Sequence, residues 1–249
     1  MTKVLQADID HASGYFDVAG FARATLANAS ALAAVFDHTL LKPEATRQQV
    51  VKLCEEAASL RFACAMVNPW WVSLAHSVMV GSGVPVGVVV GFPLGANLAT
   101  TKREEALALI KLGAHELDMV MNLGLLKSGM NALVEQDIRG VVQVAHDAGA
   151  LVKVILETAL LSVEEKLRAS ELALAAGADF LKTSTGFSTG GATPADVAIL
   201  RGVAGNRCGV KASGGIRTLS DARAMLEAGA TRIGASASVS ILRQYQTEG

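Results

Sequence analysis

Three lysines lie in apolar segments that have the composition of buried strands. Lys153 lies within residues 151–157, Lys182 within 179–186 and Lys211 within 209–215. An ammonium group is costly to bury beside apolar neighbours unless a carboxylate pairs with it or the lysine is neutral. A neutral lysine is a nucleophile that can form a Schiff base with a carbonyl compound. The segments therefore predict either structural ion pairs or amine chemistry.

Asp118 adds a carboxylate to this set, because it lies in a further apolar segment at residues 116–121. When ammonium groups lie close together, each lowers the pKa of its neighbours from the ordinary value of ~10.4 towards neutrality. The combination of Lys182, Lys211 and Asp118 favours catalysis over a purely structural role. The pattern alone does not choose the nucleophile among Lys153, Lys182 and Lys211, since all three segments have similar composition.

Glycine-rich segments near the end of the chain indicate a phosphate site. Gly214, Gly215 and Arg217 follow one apolar segment, and Gly234 and Ser236 follow the next. Loops of this kind bind phosphate through backbone N–H groups, particularly after the last two strands of a barrel. Simple turns would account for each glycine alone, but the pair of segments at this location favours binding.

The elements that must position these residues alternate between strand and helix. The predicted strands are a run from 31–36 into 37–43, and then 62–67, 84–90, 116–121, 151–157, 180–183, 209–212 and 231–234. Eight apolar strands, each followed by a helix, are typical of a single (β/α)8 TIM barrel of the α/β class. We expect the catalytic barrel over residues 31–249, with residues 1–30 as an N-terminal helical extension packed on it.

In such barrels the active site lies at the carboxyl ends of the strands. Polar residues collect at the predicted ends. They are Asp37, His38, Thr39, Asn68, Asp118, Asn122, Glu157, Thr158, the run from Lys182 to Thr185, Lys211, Ser213 and Ser236.

Composition excludes several classes of partner. The chain has 249 residues, a net charge of −1 and 4% aromatic residues, so it offers neither a basic field nor stacking platforms for nucleic acid. Residues 62–101 contain no Asp, Glu, Lys or Arg, but prolines and glycines divide them into pieces too short to span ~20 residues of bilayer. We expect small-molecule substrates, with no nucleic acid and no membrane.

The cysteines and histidines limit cofactor and compartment. Cys54, Cys64 and Cys208 are scattered without a Cys-x-x-Cys motif, as expected of buried thiols in a reducing compartment, so we expect a cytoplasmic enzyme. The histidines at 38, 76, 115 and 146 lack the spacing of metal ligands. We expect no metal and no organic cofactor.

The same segments resemble the deoxyribose-phosphate aldolases, a family of class I aldolases with a barrel fold. The resemblance covers nearly everything from residue 37 to residue 236. The motifs that carry it are DHTLLKP (37–43), VNP (67–69), ELDMVMN (116–122), KVILET (153–158), KTSTG (182–186) and KASGGIR (211–217).

The resemblance implies a role for each site residue. Lys182 matches the Schiff-base lysine, and Lys211 and Asp118 match its partners in proton transfer. Positions around the substrate phosphate are matched by Gly186, Gly214, Gly215, Arg217, Gly234 and Ser236. The remaining matches to substrate-binding positions are Asp37, Thr39, Lys153 and Thr185. Because Phe187 carries no charge, we expect phosphate binding to depend mainly on backbone N–H groups.

The implied reaction is the reversible cleavage of 2-deoxy-D-ribose 5-phosphate to D-glyceraldehyde 3-phosphate and acetaldehyde, in deoxynucleoside catabolism. The partners are then small phosphosugars and aldehydes, with the enzyme a homodimer or a higher homo-oligomer. Two alternatives remain: another lysine-dependent phosphosugar aldolase, and a barrel that binds a phosphosugar without catalysis.

Overall fold

The computed structural model describes residues 15–248. Eight parallel strands form a closed barrel in which each strand pairs with the next along the chain and β8 pairs with β1. This architecture confirms the predicted (β/α)8 barrel. The strands are β1 (Phe36–Leu40), β2 (Cys64–Val67), β3 (Val86–Val90), β4 (Glu116–Val120), β5 (Leu151–Ile155), β6 (Phe180–Lys182), β7 (Gly209–Ser213) and β8 (Arg232–Ala235).

Helices surround the barrel. They are α1 (Val18–Thr25), α2 (Ala29–Ala33), α3 (Arg47–Leu60), α4 (Val72–Met79), α5 (Ala99–Lys111), α6 (Leu123–Lys127), α7 (Asn131–His146), α8 (Val163–Ala175), α9 (Pro194–Ala204), α10 (Leu219–Glu227) and α11 (Ser238–Glu248). Short 3-10 helices at Pro69–Trp71 and Thr158–Leu160 follow β2 and β5. The main hydrophobic core lies between the strands and these helices.

The prediction of a first strand from residue 31 is wrong. Residues Ala29–Ala33 form α2, and β1 begins at Phe36. The Asn28 side chain accepts a hydrogen bond from the Ala31 N–H, which caps a helix in an alanine-rich segment. An apolar run of this length fits a buried helix as well as a strand.

The described part of the N-terminal extension packs on the barrel helices. The Arg201 guanidinium of α9 lies 4.2 Å from the centre of the Phe16 ring. The Tyr245 hydroxyl of α11 donates a hydrogen bond of 2.7 Å to the Leu26 carbonyl. The division of the chain at residue 31 stays a prediction; α2 spans that point, and residues 1–14 lie outside the described residues.

Among residues 15–248, none of the helices combines the length and the apolar character needed to cross a bilayer.

Candidate active site

Charged side chains from six strands meet inside the barrel. Their register explains the meeting, since Asp118 pairs with Lys153 and Lys182 pairs with Lys211 on adjacent strands. All of these side chains are buried. The network consists of Asp37 (β1), Glu116 and Asp118 (β4), Lys153 (β5), Lys182 (β6), Lys211 (β7) and Arg232 (β8).

Asp118 is the centre of this network. Its Oδ2 lies 2.7 Å from Lys182 Nζ and 2.6 Å from Lys211 Nζ, while its Oδ1 lies 2.8 Å from Lys153 Nζ. Burial alone would raise the pKa of Asp118, but the three ammonium groups outweigh burial and hold that pKa well below its usual range. Asp118 is therefore a carboxylate at neutral pH.

The carboxylates are shared unequally among the three lysines. Among the described residues, Lys182 Nζ contacts one carboxylate, that of Asp118. Lys211 Nζ contacts Asp118 and Asp37, and Lys153 Nζ contacts Asp118 at 2.8 Å, Glu116 at 2.5 Å and Asp37 at 3.6 Å. The lysine with the fewest negative neighbours is the easiest one to deprotonate.

Burial lowers the pKa of Lys182 to about 8, and the charges of Lys211 and Lys153 add to this effect. The pKa of Lys153 shifts the other way. Burial would lower it, but Asp118, Glu116 and Asp37 outweigh burial and hold it well above its usual range. The structure thus separates two lysines that the sequence pattern left equivalent, and Lys182 is the one poised as a nucleophile.

Charge balance supports the same assignment. Within residues 15–248, the network joins four cations to three carboxylates: Lys153, Lys182, Lys211 and Arg232 with Asp37, Glu116 and Asp118. Loss of one proton brings the network to neutrality, which favours a neutral lysine in a buried site. Lys182 can release that proton with the smallest loss of ion pairing.

One group of potential metal ligands lies in the same interior. Carboxylate oxygens of Asp37 and Glu116 and the Cys64 thiol lie within 4.8 Å of one another. Both carboxylates are already paired with cations of the protein, as the contacts of Arg232 Nη1 at 2.6 Å to Asp37 and 3.2 Å to Glu116 illustrate. Burial raises the pKa of the Cys64 thiol well above its usual range. Because the two carboxylates are ion-paired and the thiol keeps its proton, these three residues fit the buried ion network better than a metal site.

The loops after β6 and β7 approach each other at glycine residues. A Cβ built on Gly214 would lie 3.1 Å from the Gly191 Cα and 3.6 Å from the Gly186 Cα. Gly186, Gly214 and Gly215 have φ angles of 84°, 89° and 82°, which side chains strongly disfavour. Within residues 15–248, the N–H groups of Gly186, Gly214 and Gly215 donate no hydrogen bond. Unpaired amides in closely packed loops are suited to binding an anion.

The other residues predicted around the phosphate are Ser236, Arg217 and Gly234. Ser236 is exposed in the turn that precedes α11, and Arg217 is exposed beside α10, where its backbone N–H donates 3.0 Å to Asp221. Gly234 lies inside β8, where a Cβ would come within 2.9 Å of Lys211 Cε. The absence of a side chain at 234 gives Lys211 the space to enter the network.

Three further residues predicted at the substrate have partners within the protein. Asp37 is fully buried and paired with Lys211 and Arg232. The Thr39 hydroxyl donates 2.8 Å to the Asp37 carbonyl. The Thr185 hydroxyl donates 2.5 Å to a Glu157 carboxylate oxygen and accepts the N–H of Phe187 at 3.0 Å.

Sequence reasoning missed two kinds of residue near this site. Glu157 and Ser184 stood among the polar strand ends without an assigned role; the Ser184 hydroxyl is buried and bonds to none of the described residues. Phe92 was not singled out at all. Its ring centre lies 5.2 Å from that of Phe187, edge to face at 86°, so the loops after β3 and β6 touch across the ends of β4 and β5.

Comparison with known proteins identifies the family. Residues 31–245 match the model of the DeoC/LacD family aldolases. The chain belongs to this family. It is 57% identical over 211 residues to the deoxyribose-phosphate aldolase of Geobacillus sp. strain WCH70, covering 85% of this chain and 94% of that protein. It is 55% identical over 218 residues to that of Bacillus subtilis strain 168, covering 88% and 97%.

A solved structure of the same family has the same fold. The tetrameric deoxyribose phosphate aldolase of Aeropyrum pernix aligns with a TM-score of 0.86 at 36% identity, over 94% of this chain and 98% of that one. Family membership agrees with the chemistry of the site, since a class I aldolase needs a neutral lysine amine. The chain is an aldolase, a carbon–carbon lyase, as the sequence predicted.

The interior of this aldolase has an apolar side beside the ion network. Leu41, Cys64, Met66 and Val89 form a buried cluster separate from the main core, and Phe92 packs against it. Since Cys64 approaches Asp37 and Glu116, this cluster lies inside the barrel on the side of β1 to β3. Apolar walls restrict water near the amine and strengthen the electrostatic effects around it.

Proposed function

We propose that this aldolase reversibly cleaves 2-deoxy-D-ribose 5-phosphate to D-glyceraldehyde 3-phosphate and acetaldehyde, in deoxyribose phosphate catabolism. The observation that carries the proposal is the buried Lys182 amine, with its pKa near 8, beside Asp118 and Lys211. The names of relatives at 55–57% identity support this substrate over other phosphosugars.

The reaction begins when the neutral amine of Lys182 attacks C1 of the open-chain aldehyde. Loss of water gives a protonated imine, which withdraws electrons from the C2–C3 bond. That bond breaks as a water molecule oriented by Asp118 accepts the proton of the C3 hydroxyl, so that glyceraldehyde 3-phosphate leaves and an enamine remains on Lys182. Return of that proton from the water to C2 of the enamine and addition of a second water release acetaldehyde and restore the amine.

Asp118 and Lys211 handle the protons in this scheme. Asp118 stays ionised and orients a water molecule or a substrate hydroxyl, and Lys211 keeps Lys182 neutral through its positive charge. Because both lysines contact the same Asp118 oxygen, Asp118 holds the two amines next to each other. The amides of Gly186, Gly214 and Gly215, with the Ser236 turn, bind the phosphate.

Borohydride trapping tests the proposal. Treatment with acetaldehyde and sodium borohydride should add one ethyl group to the peptide that contains Lys182, with or without EDTA. The Lys182→Ala variant should lose both trapping and turnover. An adduct on Lys153 or Lys211 would overturn the assignment of the nucleophile, and absence of any adduct would favour a barrel that binds without catalysis.

A donor screen separates the proposed reaction from another lysine-dependent aldolase. With D-glyceraldehyde 3-phosphate as acceptor, acetaldehyde should give product and dihydroxyacetone phosphate should not. The reverse preference would assign the enzyme to the second candidate.

We further propose that the enzyme is a cytoplasmic homodimer or higher homo-oligomer. All three cysteines are free thiols, as in a reducing compartment, and the relative from Aeropyrum pernix is described as a tetramer. Light scattering coupled to gel filtration measures the assembly, and a monomer at micromolar concentration would contradict this part of the proposal.

A further inference from the structure

Glu157 has an unusual conformation for a non-glycine residue. It follows the end of β5 with φ 53° and ψ 60°, in the left-handed region, and its side chain is buried with 3% exposure. Side chains disfavour this region, and strain of this kind persists where the surrounding structure requires it. The surroundings of Glu157 therefore indicate what the strain maintains.

The carboxylate of Glu157 holds the loop that follows β6. Its Oε2 accepts the Thr185 hydroxyl at 2.5 Å and the Thr185 N–H at 3.2 Å. Thr185 Oγ1 in turn accepts the Phe187 N–H at 3.0 Å. These bonds enclose Gly186, whose own N–H is unpaired among the described residues.

Backbone hydrogen bonds hold the segment after β5 next to the segment after β6. The Leu156 N–H donates 2.9 Å to the Lys182 carbonyl, and the Thr158 N–H donates 2.9 Å to the Thr183 carbonyl. Glu157 lies between these two bonds, so its left-handed backbone directs the carboxylate towards the loop after Lys182. The three hydrogen bonds around Thr185 leave that loop little freedom to rotate the Gly186 amide.

We propose that Glu157 is a positioning residue that fixes the Gly186 amide for the substrate phosphate. The inference rests on the proposed function and adds to it a determinant of phosphate recognition. Glu157 does not attract the phosphate, because both are negative. It acts through Thr185. Because the Thr185 hydroxyl donates its hydrogen bond to Glu157, it does not donate one to the phosphate.

Replacement of Glu157 by glycine separates the carboxylate from the strained backbone. Glycine adopts the left-handed region freely, so Glu157→Gly removes the carboxylate without adding backbone strain. Loss of the hydrogen bonds between Glu157 and Thr185 should raise the KM for 2-deoxyribose 5-phosphate about 10-fold, the effect of one lost hydrogen bond to a charged group. The KM for unphosphorylated 2-deoxyribose should change less than about 2-fold, because that substrate does not use the loop.

Two further variants identify the mechanism. Glu157→Gln keeps an oxygen that can accept the Thr185 hydroxyl, so it should restore the KM for the phosphorylated substrate to within about 3-fold of wild type. Thr185→Val should resemble Glu157→Gly, and the double variant should be no worse than either single variant, since the two residues form one contact.

The inference is overturned if Glu157→Gly and Glu157→Gln both leave the KM ratio of the two substrates unchanged, or if both substrates weaken equally. If Glu157→Gly does not fold, the KM ratios of Glu157→Gln and Thr185→Val still test the inference, since only Thr185→Val should raise the KM for the phosphorylated substrate. Failure of the proposed function has a different signature, since wild-type enzyme would then neither cleave 2-deoxyribose 5-phosphate nor form the trapped adduct.

Discussion

The reactivity of Lys182 depends on how few negative charges surround it. Lys153 and Lys182 are both buried lysines on neighbouring strands, and burial lowers the pKa of each, but unequal carboxylate contacts leave the pKa of Lys182 lowered and that of Lys153 raised. A buried lysine is thus not reactive by itself. Lys182 is reactive because burial and the neighbouring cations lower its pKa by more than its contact with Asp118 raises it.

The pH dependence of kcat/KM should report the protonation of Lys182. Since the reacting form is the neutral amine, kcat/KM should rise about tenfold per pH unit below pH 8 and level off above it. The Lys211→Leu variant should shift this inflection to higher pH, because a cation that lowers the pKa of Lys182 is removed. Initial rates from pH 6 to 10 measure both profiles. Replacement of Lys52, whose side chain is 74% exposed, is the control and should leave the inflection in place.

The shared Asp118 oxygen predicts a non-additive loss of turnover. Asp118→Asn and Lys211→Leu should each lower kcat by at least ~100-fold, the lower end of general acid–base contributions. The double variant should lose little more than either single variant, since both residues act through the same contact. Steady-state kinetics at pH 7 and pH 9.5 provide the test. Near-wild-type turnover for one single variant would remove that residue from the mechanism.

The residue pattern predicted which residues meet, whereas their individual roles came only from the resemblance to a known family. Alternation along strands and the barrel topology were enough to bring Asp118, Lys182 and Lys211 together. The choice of nucleophile depends on distances between side-chain atoms from different strands, which no local pattern contains. Asp37 illustrates this, because the resemblance matched it to a substrate-binding position, and the pairing of its carboxylate with Lys211 and Arg232 became visible only in the structure.

At the scale of the elements, loops from distant strands cooperate over the active site. Strands β3 and β6 are separated by two others, yet Phe92 and Phe187 touch edge to face beyond the strand ends. Phe187 is half exposed, and Phe92 packs on the apolar cluster inside the barrel. Phe187 therefore connects the loop that carries Gly186 to the apolar side of the interior.

This aromatic contact should contribute to catalysis as a pair. Phe92→Ala and Phe187→Ala should each lower kcat/KM about 2- to 10-fold, the equivalent of the 0.5–1.5 kcal/mol of an aromatic pair. The KM for 2-deoxyribose 5-phosphate should rise more than the KM for unphosphorylated 2-deoxyribose, because the contact orders the loop that carries Gly186. The double variant should match the single variants. Additive losses, or equal losses with both substrates, would show that the contact does more than order this loop.

Element boundaries were predictable where chain chemistry marks them. Thr46, Ser162 and Thr218 each cap the helix that follows in a capping box, so α3, α8 and α10 begin where the polar residues indicate. The N-terminal boundary was missed, since α2 and β1 share one apolar run and the Asn28 cap precedes it. Contacts between loops, such as that of Phe92 with Phe187, arise from closure of the barrel and have no local signal.

At the scale of the whole molecule, the ion network also closes the barrel. Asp37 on β1 contacts Arg232 on β8 and Lys211 on β7, so the first strand is bound to the last two through side chains as well as through the backbone. Charges that tune Lys182 therefore also hold the fold together. Because the ion pairs serve both the fold and the reactivity of Lys182, they extend through the interior of the barrel and are not confined to the surroundings of Lys182.

The last prediction concerns Asp37 and acid stability. Burial would raise the pKa of Asp37, but Lys211, Arg232 and Lys153 outweigh burial and hold it well below its usual range. A carboxylate with a lowered pKa in the folded state stabilises that state above its unfolded value of about 4, and the contribution is lost as pH falls below it. Asp37→Asn should therefore lower the free energy of unfolding at pH 7 by about 3–5 kcal/mol, since it removes a carboxylate from a buried network in which cations already outnumber carboxylates.

Urea unfolding of wild type and Asp37→Asn at pH 7, 5 and 3 measures this contribution. The difference between the two proteins should be equal at pH 7 and 5 and smaller at pH 3, where wild type begins to lose the same interaction. Glu135→Gln is the matched control, because it removes an exposed ion pair with Arg139 that should contribute less than about 1 kcal/mol. A difference that stays constant down to pH 3 would mean that Asp37 stabilises the barrel through packing, and the closure of β1 onto β8 would then not depend on its charge.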